Sequence, residues 1–319
     1  MVQRVTFAIF LTITSGLVLV AAYGNQGSNS SVDKVLGRWD ITVQAADGTR
    51  YPSWLEVTRD SDKLAGRFVG RVGSQRPVKS IEFKDGQLIF SLPVQYERQN
   101  SDLKFEARLV GDRLEGTTLA PDGKTLRWTA VRAPALAGSS RPKWGQPIQL
   151  FNGRDLSGWK LRNPNGPNGW SVVDGVLVNT PRSTDLITEQ EFKDFKLHIE
   201  FSIAEKSNSG IYLRGRYEIQ VEDGAGREPD SRGIGGVYGF IAPTSNPAKK
   251  ANEWQTFDIT LIGRRLTVAL NGKTIIDNVE IDGITGGALD SNEGAPGPIM
   301  LQGDHGKISF RSIVITPAL

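Results

Sequence analysis

The 319-residue sequence predicts an all-β chain, with a small up-and-down barrel followed by a two-sheet sandwich. Three observations predict it. Short runs alternating apolar and polar with period two recur along most of the chain, as half-buried strands do. Asp-Gly and Asn-Gly pairs punctuate them at Asp47-Gly48, Asp85-Gly86, Asp122-Gly123, Asp174-Gly175 and Asn271-Gly272, the strongest short-range hairpin signal. No stretch carries a convincing helical period, and 36 Gly and 7 Trp suit a protein of many turns around aromatic packing.

In chain order, residues 1–22 read as a secretory signal peptide. Arg4 precedes an apolar run from Val5 to Ala22, and Val20-Ala21-Ala22 offers small residues for cleavage. Residues 23–32 are polar and expected to be a disordered tether. Residues 33–133 hold eight strand candidates: 37–44, 53–58, 64–71, 78–83, 87–93, 104–110, 113–119 and 126–131. Their meander predicts a small up-and-down barrel. Gly37-Arg38-Trp39 resembles the Gly-x-Trp of lipocalin-like barrels. Side chains are expected to fill so small an interior, which favours a docking or spacer role over ligand binding.

Residues 134–147, rich in Pro, Gly and Ser, read as a linker. Residues 148–319 hold twelve further strand candidates, among them 195–203, 210–222, 237–241, 253–262, 297–302 and 307–315, which point to a two-sheet sandwich.

Composition removes several function classes. Cysteine is absent, so no disulfide, thiolate metal site or cysteine nucleophile exists. The net charge of +3 comes without a basic block, and no nucleic-acid-binding motif appears. Beyond the leader no second apolar run approaches the length of a membrane span, so no stable span is expected after signal cleavage. An exported protein, periplasmic or extracellular, is the expectation.

The most informative stretch is 208–223, NSGIYLRGRYEIQVED. Read as one strand, it puts Ile211, Leu213, Tyr217, Ile219 and Val221 on one face. Tyr212, Arg214, Arg216, Glu218, Gln220 and Glu222 fall on the other. Two Arg, two Glu, a Gln and a Tyr in one row suggest the floor of a polar cleft rather than a plain solvent face.

The LFNGRDLSGW of residues 150–159 resembles the opening of the 3-keto-disaccharide hydrolase domain family. The resemblance continues in family order through Gly169-Trp170, Asp174-Gly175-Val176-Leu177, Asn208-Ser209-Gly210-Ile211, Leu213 to Glu218, Tyr238-Gly239, Glu253-Trp254-Gln255, Asn271-Gly272, and Gly297 to Gln302, ending at His305-Gly306. It implies a concanavalin A-like jelly roll over about 148–317. It also implies a hydrolase or lyase acting on glycosides oxidised at C3, with a small oligosaccharide or glycoside as the bound partner.

A C3 ketone acidifies the hydrogen at C2. Cleavage then needs a base near neutral pKa, a donor or cation for the enolate oxygen, and an acid at the leaving oxygen. His305, one of two histidines, is the candidate base, with Asp304 beside it to tune its pKa. His198 sits on a polar strand face and is expected to be solvated. Glu218 and Arg214 complete the catalytic candidates, Arg214 for its paired guanidinium donors. Glu218 with Glu222 also has the spacing of an ordinary two-carboxylate glycosidase. Arg216, Gln220, Tyr212, Tyr238, Trp254 and Gln302 are the substrate-binding candidates, through hydroxyl pairing or ring stacking. Asp223 and Asp304 are weak candidates for a divalent metal such as Ca²⁺. The Gly- and Pro-rich run 223–250 reads as a wall or lid of the cleft. A non-catalytic carbohydrate-binding protein is the alternative, since a polar aromatic face serves binding equally well.

Overall fold

In the computed structural model, residues 31–319 are described apart from Ala46, Arg98, Gln99, Ser139 and Ser140. The signal-peptide expectation and most of the tether fall outside the described residues. The first element is a 3-10 turn, Ser31–Val35.

The N-terminal sheet runs β1 (Gly37–Gln44), β2 (Arg50–Asp60), β3 (Lys63–Val69), β4 (Arg76–Pro77), β5 (Ser80–Lys84), β6 (Gln87–Leu92), β7 (Leu103–Val110), β8 (Arg113–Leu119) and β9 (Thr125–Arg132). All neighbours are antiparallel, and β1 pairs with β9. The expected strand 78–83 is really two short pieces that change partner. The Val78 N–H bonds Gly66 on β3, while the Lys79 N–H bonds Ser91 beyond β5 on β6. That switch closes the meander into a barrel and removes its edges.

The second part contains β10 (Ile148–Gln149), β11 (Trp159–Leu161), β12 (Trp170–Val173), β13 (Val176–Asn179), β14 (Leu186–Thr188), β15 (Phe195–Ile203), β16 (Asn208–Leu213), β17 (Tyr217–Glu222), β18 (Gln255–Ile262), β19 (Arg265–Leu270), β20 (Lys273–Glu280), β21 (Met300–Leu301) and β22 (Ile308–Pro317). They form an eight-stranded sheet around β22, β15 and β18 and a five-stranded sheet in the order β11-β14-β21-β16-β17. Leu197, Ile199 and Phe201 from the large sheet meet Ile211, Leu213, Ile219 and Leu301 from the small one in a single apolar core. Asp85-Gly86, Asp174-Gly175 and Asn271-Gly272 all take positive φ at both residues, the geometry of the hairpin turns their sequences predict.

Besides 78–83, three strand expectations need correction. Of 297–302, only Met300–Leu301 is a strand. Residues 237–241 form a turn closed by Val237 N–H to the Ile241 carbonyl. The long strand 210–222 is a hairpin, not one strand. Arg214 (φ 53°) and Gly215 (φ 66°) turn the chain, and the Arg216 N–H bonds the Leu213 carbonyl at 3.0 Å.

The barrel is seated on the sandwich. Trp54 and Val69 of the barrel belong to the sandwich core, and Trp54 meets Phe240 edge-on at 5.5 Å. Gly283 lies flush against the Trp54 indole, where a methyl group would come within 2.2 Å. Around this plug, Asp282 holds Arg38 at 2.6 Å and Arg67 at 2.9 Å, and the Gly287 N–H bonds the Arg71 carbonyl at 2.9 Å. Residues 134–138 run along the sandwich, with the Pro134 carbonyl accepting from Arg264.

Candidate functional site

The hairpin β16–β17 supplies the floor of the site on the outer face of the five-stranded sheet. Tyr212 lies opposite Glu218, Gly210 opposite Gln220, and Asn208 opposite Glu222. Directly opposed residues point to the same side. The turn contains an odd number of unpaired residues, so even-numbered positions on both strands keep one face. The alternation seen in the sequence therefore survives for Tyr212, Glu218 and Gln220, although the strand folds back on itself. On β16's other side, Met300 lies opposite Tyr212, and the Gln302 N–H bonds the Gly210 carbonyl at 2.9 Å.

A cleft of about 670 Å³ opens above this floor, within the range of small-molecule sites. Tyr212, Glu218, Gln220, Tyr238, Gln302, Asp304 and His305 all line it. The structure also brings in residues the sequence reading did not single out. From the sandwich come Arg162, Asn163, Asp185 and Asn208; from the barrel come Arg50, Tyr51, Arg71, Val72 and Tyr96.

Glu218 is 4% exposed. Burial pushes its carboxyl up to about 8, against the downward pull of the Tyr212 hydroxyl and of the His305 charge. The Tyr212 hydroxyl donates its single proton to the Gly286 carbonyl at 2.9 Å. Toward Glu218 the phenol oxygen can then only accept, which suits a carboxylic acid and weakens the downward pull. Gly210 makes the room: a methyl group there would meet the Glu218 carboxyl at 2.3 Å.

His305 stands at the rim, about half exposed, with Nδ1 bonded to Asp304. That hydrogen bond lifts the imidazole above its ordinary value, against the effect of burial, and leaves Nε2 as the free nitrogen. Asp185 is also raised by burial, while the Gly303 N–H and Arg162 pull it down. Arg162 spans the wall, bonding Asp185 at 3.0 Å and the Gly287 carbonyl at 2.8 Å. The amide oxygens of Gln220 and Gln302 are buried without a hydrogen-bond partner. Such orphans are costly unless a ligand or water donates to them, and sugar hydroxyls are suitable donors.

Four candidates lie elsewhere. Arg214 sits at the hairpin turn and is fully buried, bonding the Gly263 carbonyl at 2.7 Å and the Tyr217 hydroxyl at 3.3 Å. Tyr217 in turn donates to Glu293, which is ion-paired with Arg264. Arg216 is buried against Asp290 at 2.8 Å. Both were placed in the cleft by an unbroken alternation that the turn interrupts. Trp254 lies under Arg311, 4.6 Å from its ring centroid, on the outer face of the large sheet with His198, Glu200 and Asp258. That polar face points away from the cleft. Glu222 lines a separate hollow of about 190 Å³ with Arg227, so Glu218 and Glu222 do not face one another.

The metal candidates do not converge. Asp223 accepts from the Lys206 N–H, Asp304 is engaged with His305, and among the described residues no group of three or more His, Cys, Asp or Glu is placed to hold a metal ion. This donor set does not fit Ca²⁺, which takes six to eight oxygens. The run 223–250 has no strand; it supplies Tyr238 to the cleft and buries Ile234 and Val237.

Glu218 also sets a pH dependence of stability. Below its ordinary range, near 4.5, the acid is protonated in folded and unfolded chains alike. Between there and about 8 the unfolded chain releases the proton and the folded chain retains it, so stability falls as pH rises. Asp40, raised by burial and then by the charge of Glu293, acts in the same direction. Unfolding free energies from denaturant titrations at pH 5 and pH 8 are expected to differ by less in Glu218→Gln than in the unaltered protein, by on the order of 3 kcal/mol. An equal difference in both would place Glu218 in a solvated environment.

A jelly-roll sandwich with a polar cleft holding a buried acid beside an aspartate-held histidine has the build of a glycosyl hydrolase-like, carbohydrate-active protein. Residues 146–316 match the family of the 3-keto-alpha-glucoside-1,2-lyase-like domain, and the chain belongs to that family. A 3-keto-disaccharide hydrolase of Bacteroides thetaiotaomicron is 26% identical over 91 residues, which is 25% of this chain and 31% of that protein. A solved structure assigned as a glycosyl hydrolase, from Parabacteroides distasonis, is 30% identical over 58% of this chain and 92% of its own, with a TM-score of 0.48. A Bacillus licheniformis β-glucanase is 14% identical over 55% of this chain and 99% of its own, with a TM-score of 0.34.

Proposed function

We propose that the protein is an exported enzyme that cleaves 3-keto-glycosides by removing the C2 proton and expelling the C1 substituent. The observation that carries this reading is the pairing, around one polar cleft, of Glu218, held protonated up to about 8, with the His305–Asp304 dyad. Two neighbouring groups with differently tuned pKa values are the usual basis for assigning acid and base.

His305 Nε2 takes the C2 proton, and the C–H electrons pass into C2–C3, leaving the negative charge on the C3 oxygen. As that carbonyl reforms, the electrons enter C1–C2 and the C1–O bond breaks. Glu218 gives its proton to the leaving oxygen. Water adding across C1–C2 completes a hydrolysis; release without addition completes an elimination. With Arg214 in the core, Arg50, Arg71 and Arg162 are the arginines that line the cleft and supply the cation for the enolate.

The base must be neutral and the acid protonated, so kcat/KM is expected to follow a bell. Its acid limb lies above the ordinary histidine value and its alkaline limb near 8. Incubation with a panel of 3-keto-glucosides and 3-keto-trehalose should release free aglycone or sugar. His305→Ala is expected to lower turnover by about 10²-fold or more with sugar binding retained, and added imidazole should restore part of it. Sugar binding with no turnover across the panel would make the cleft a carbohydrate-binding site only.

A further inference from the structure

The barrel is not a sealed spacer. Its middle is filled by Phe68, Phe90, Phe105 and Trp128, with Phe90 and Phe105 stacked at 4.8 Å. Toward one end a hollow of about 420 Å³ remains, lined by apolar side chains such as Val43, Leu103, Phe105 and Leu126. The expectation of a filled interior therefore fails at this end.

The position of the hollow gives it meaning. Tyr51, Arg71, Val72 and Tyr96 line both this hollow and the polar cleft. The guanidinium of Arg71 lies over the Tyr51 ring at 5.3 Å, and its backbone carbonyl is bonded to Gly287 on the sandwich. The two spaces thus meet at a wall fixed to the site. The mouth of the hollow also exposes Val72 by 50%, Tyr96 by 58% and Leu119 by 58%, an apolar rim around one opening.

We propose that the barrel hollow receives the apolar aglycone of a glycoside whose oxidised sugar sits in the sandwich cleft. This rests on the 3-keto-glycoside reading and narrows it, from sugar–sugar substrates to glycosides of apolar alcohols. A disaccharide would leave the apolar hollow facing a hydrated sugar. An alkyl or aryl aglycone buries its surface there while the sugar hydroxyls meet Gln220 and Gln302.

The experiment compares methyl and octyl 3-keto-glucosides, whose leaving alcohols have similar basicity, so that size rather than leaving-group chemistry is read. The octyl compound is expected to show a kcat/KM higher by about tenfold or more, through KM, from burial of its methylene groups. The ratio should fall toward one in Leu119→Glu and in Pro121→Glu, two exposed positions that line the hollow and not the cleft. Equal values for the two compounds, or a preference that neither substitution alters, would overturn the inference and leave the 3-keto-glycoside reading standing. If neither compound turns over, that reading fails. Calorimetry with unoxidised octyl and methyl glucosides, below the octyl micelle concentration, then decides the hollow separately. Tighter octyl binding that both substitutions weaken supports it; equal binding overturns it.

Discussion

Replacing Glu218 by Gln is expected to lower turnover of alkyl 3-keto-glycosides by about 10²–10⁴-fold, the usual contribution of a positioned general acid. Glutamine has nearly the same shape as a protonated glutamic acid and carries no charge, so the pocket around Tyr212 and Gly210 accepts it. The loss should depend on the leaving group. A 3-keto-nitrophenyl glycoside expels a weakly basic phenolate that needs little protonation, so its loss should be much smaller. The alkaline limb near 8 should disappear with the acid. An equal loss for alkyl and nitrophenyl substrates would move Glu218 from the acid role to another one. The same substitution is expected to make the protein more stable at pH 8, because the buried carboxyl is costly there. The buried acid thus lowers stability in the pH range of the proposed chemistry.

Trp54→Ala is expected to cost about 3–5 kcal/mol of stability, the range for truncating a large buried aromatic side chain. Trp54 is fully buried, meets Phe240 edge-on and fits against Gly283. Its indole nitrogen has no hydrogen-bond partner, so the loss comes from packing and from the Arg67 guanidinium over its ring, not from a hydrogen bond. Trp54→Phe should recover a large part of it. Asp282→Ala, which removes partly exposed ion pairs to Arg38 and Arg67 at the same junction, should cost only about 1 kcal/mol. Guanidinium denaturation of the three variants checks the order. A Trp54→Ala cost no greater than that of Asp282→Ala would mean that charge rather than packing seats the barrel. Because Trp54 anchors the wall that carries Tyr51 and Arg71, the substitution should also raise KM for octyl substrates.

The errors of the sequence reading have local causes. Alternation assigns a face correctly only if the chain does not reverse. Gly215, inside a polar run, was the available sign of a break, since glycine within a strand pattern marks a bulge or bend. The Arg-Gly pair lacked the Asn or Asp that identified the other hairpins. Tyr212, Glu218 and Gln220 kept their shared face only because the turn preserves parity. Trp254 immediately precedes β18, whose polar side is equally regular, but that strand belongs to the other sheet. No one-dimensional pattern tells which sheet's outer face carries the cleft. Arg162 follows directly on the three-residue strand β11, too short to show periodicity, and nothing in its neighbourhood distinguished it.

The sequence by itself determined what is encoded by near neighbours. The all-β class, the meandering barrel, the Asp-Gly and Asn-Gly hairpins, the family and the cluster from Gln302 to His305 all follow from alternation, turn chemistry and ordered motifs. Tertiary structure decided what depends on residues far apart in the chain. It buried Glu218 and so raised its carboxyl, turned Arg214 into the core, and set Tyr51, Arg71 and Tyr96 of the barrel against a cleft floor, at Tyr212 to Gln220, that comes much later in the chain. The physical reason is that burial and electrostatic environment are properties of the assembled packing, and no local run of residues contains them.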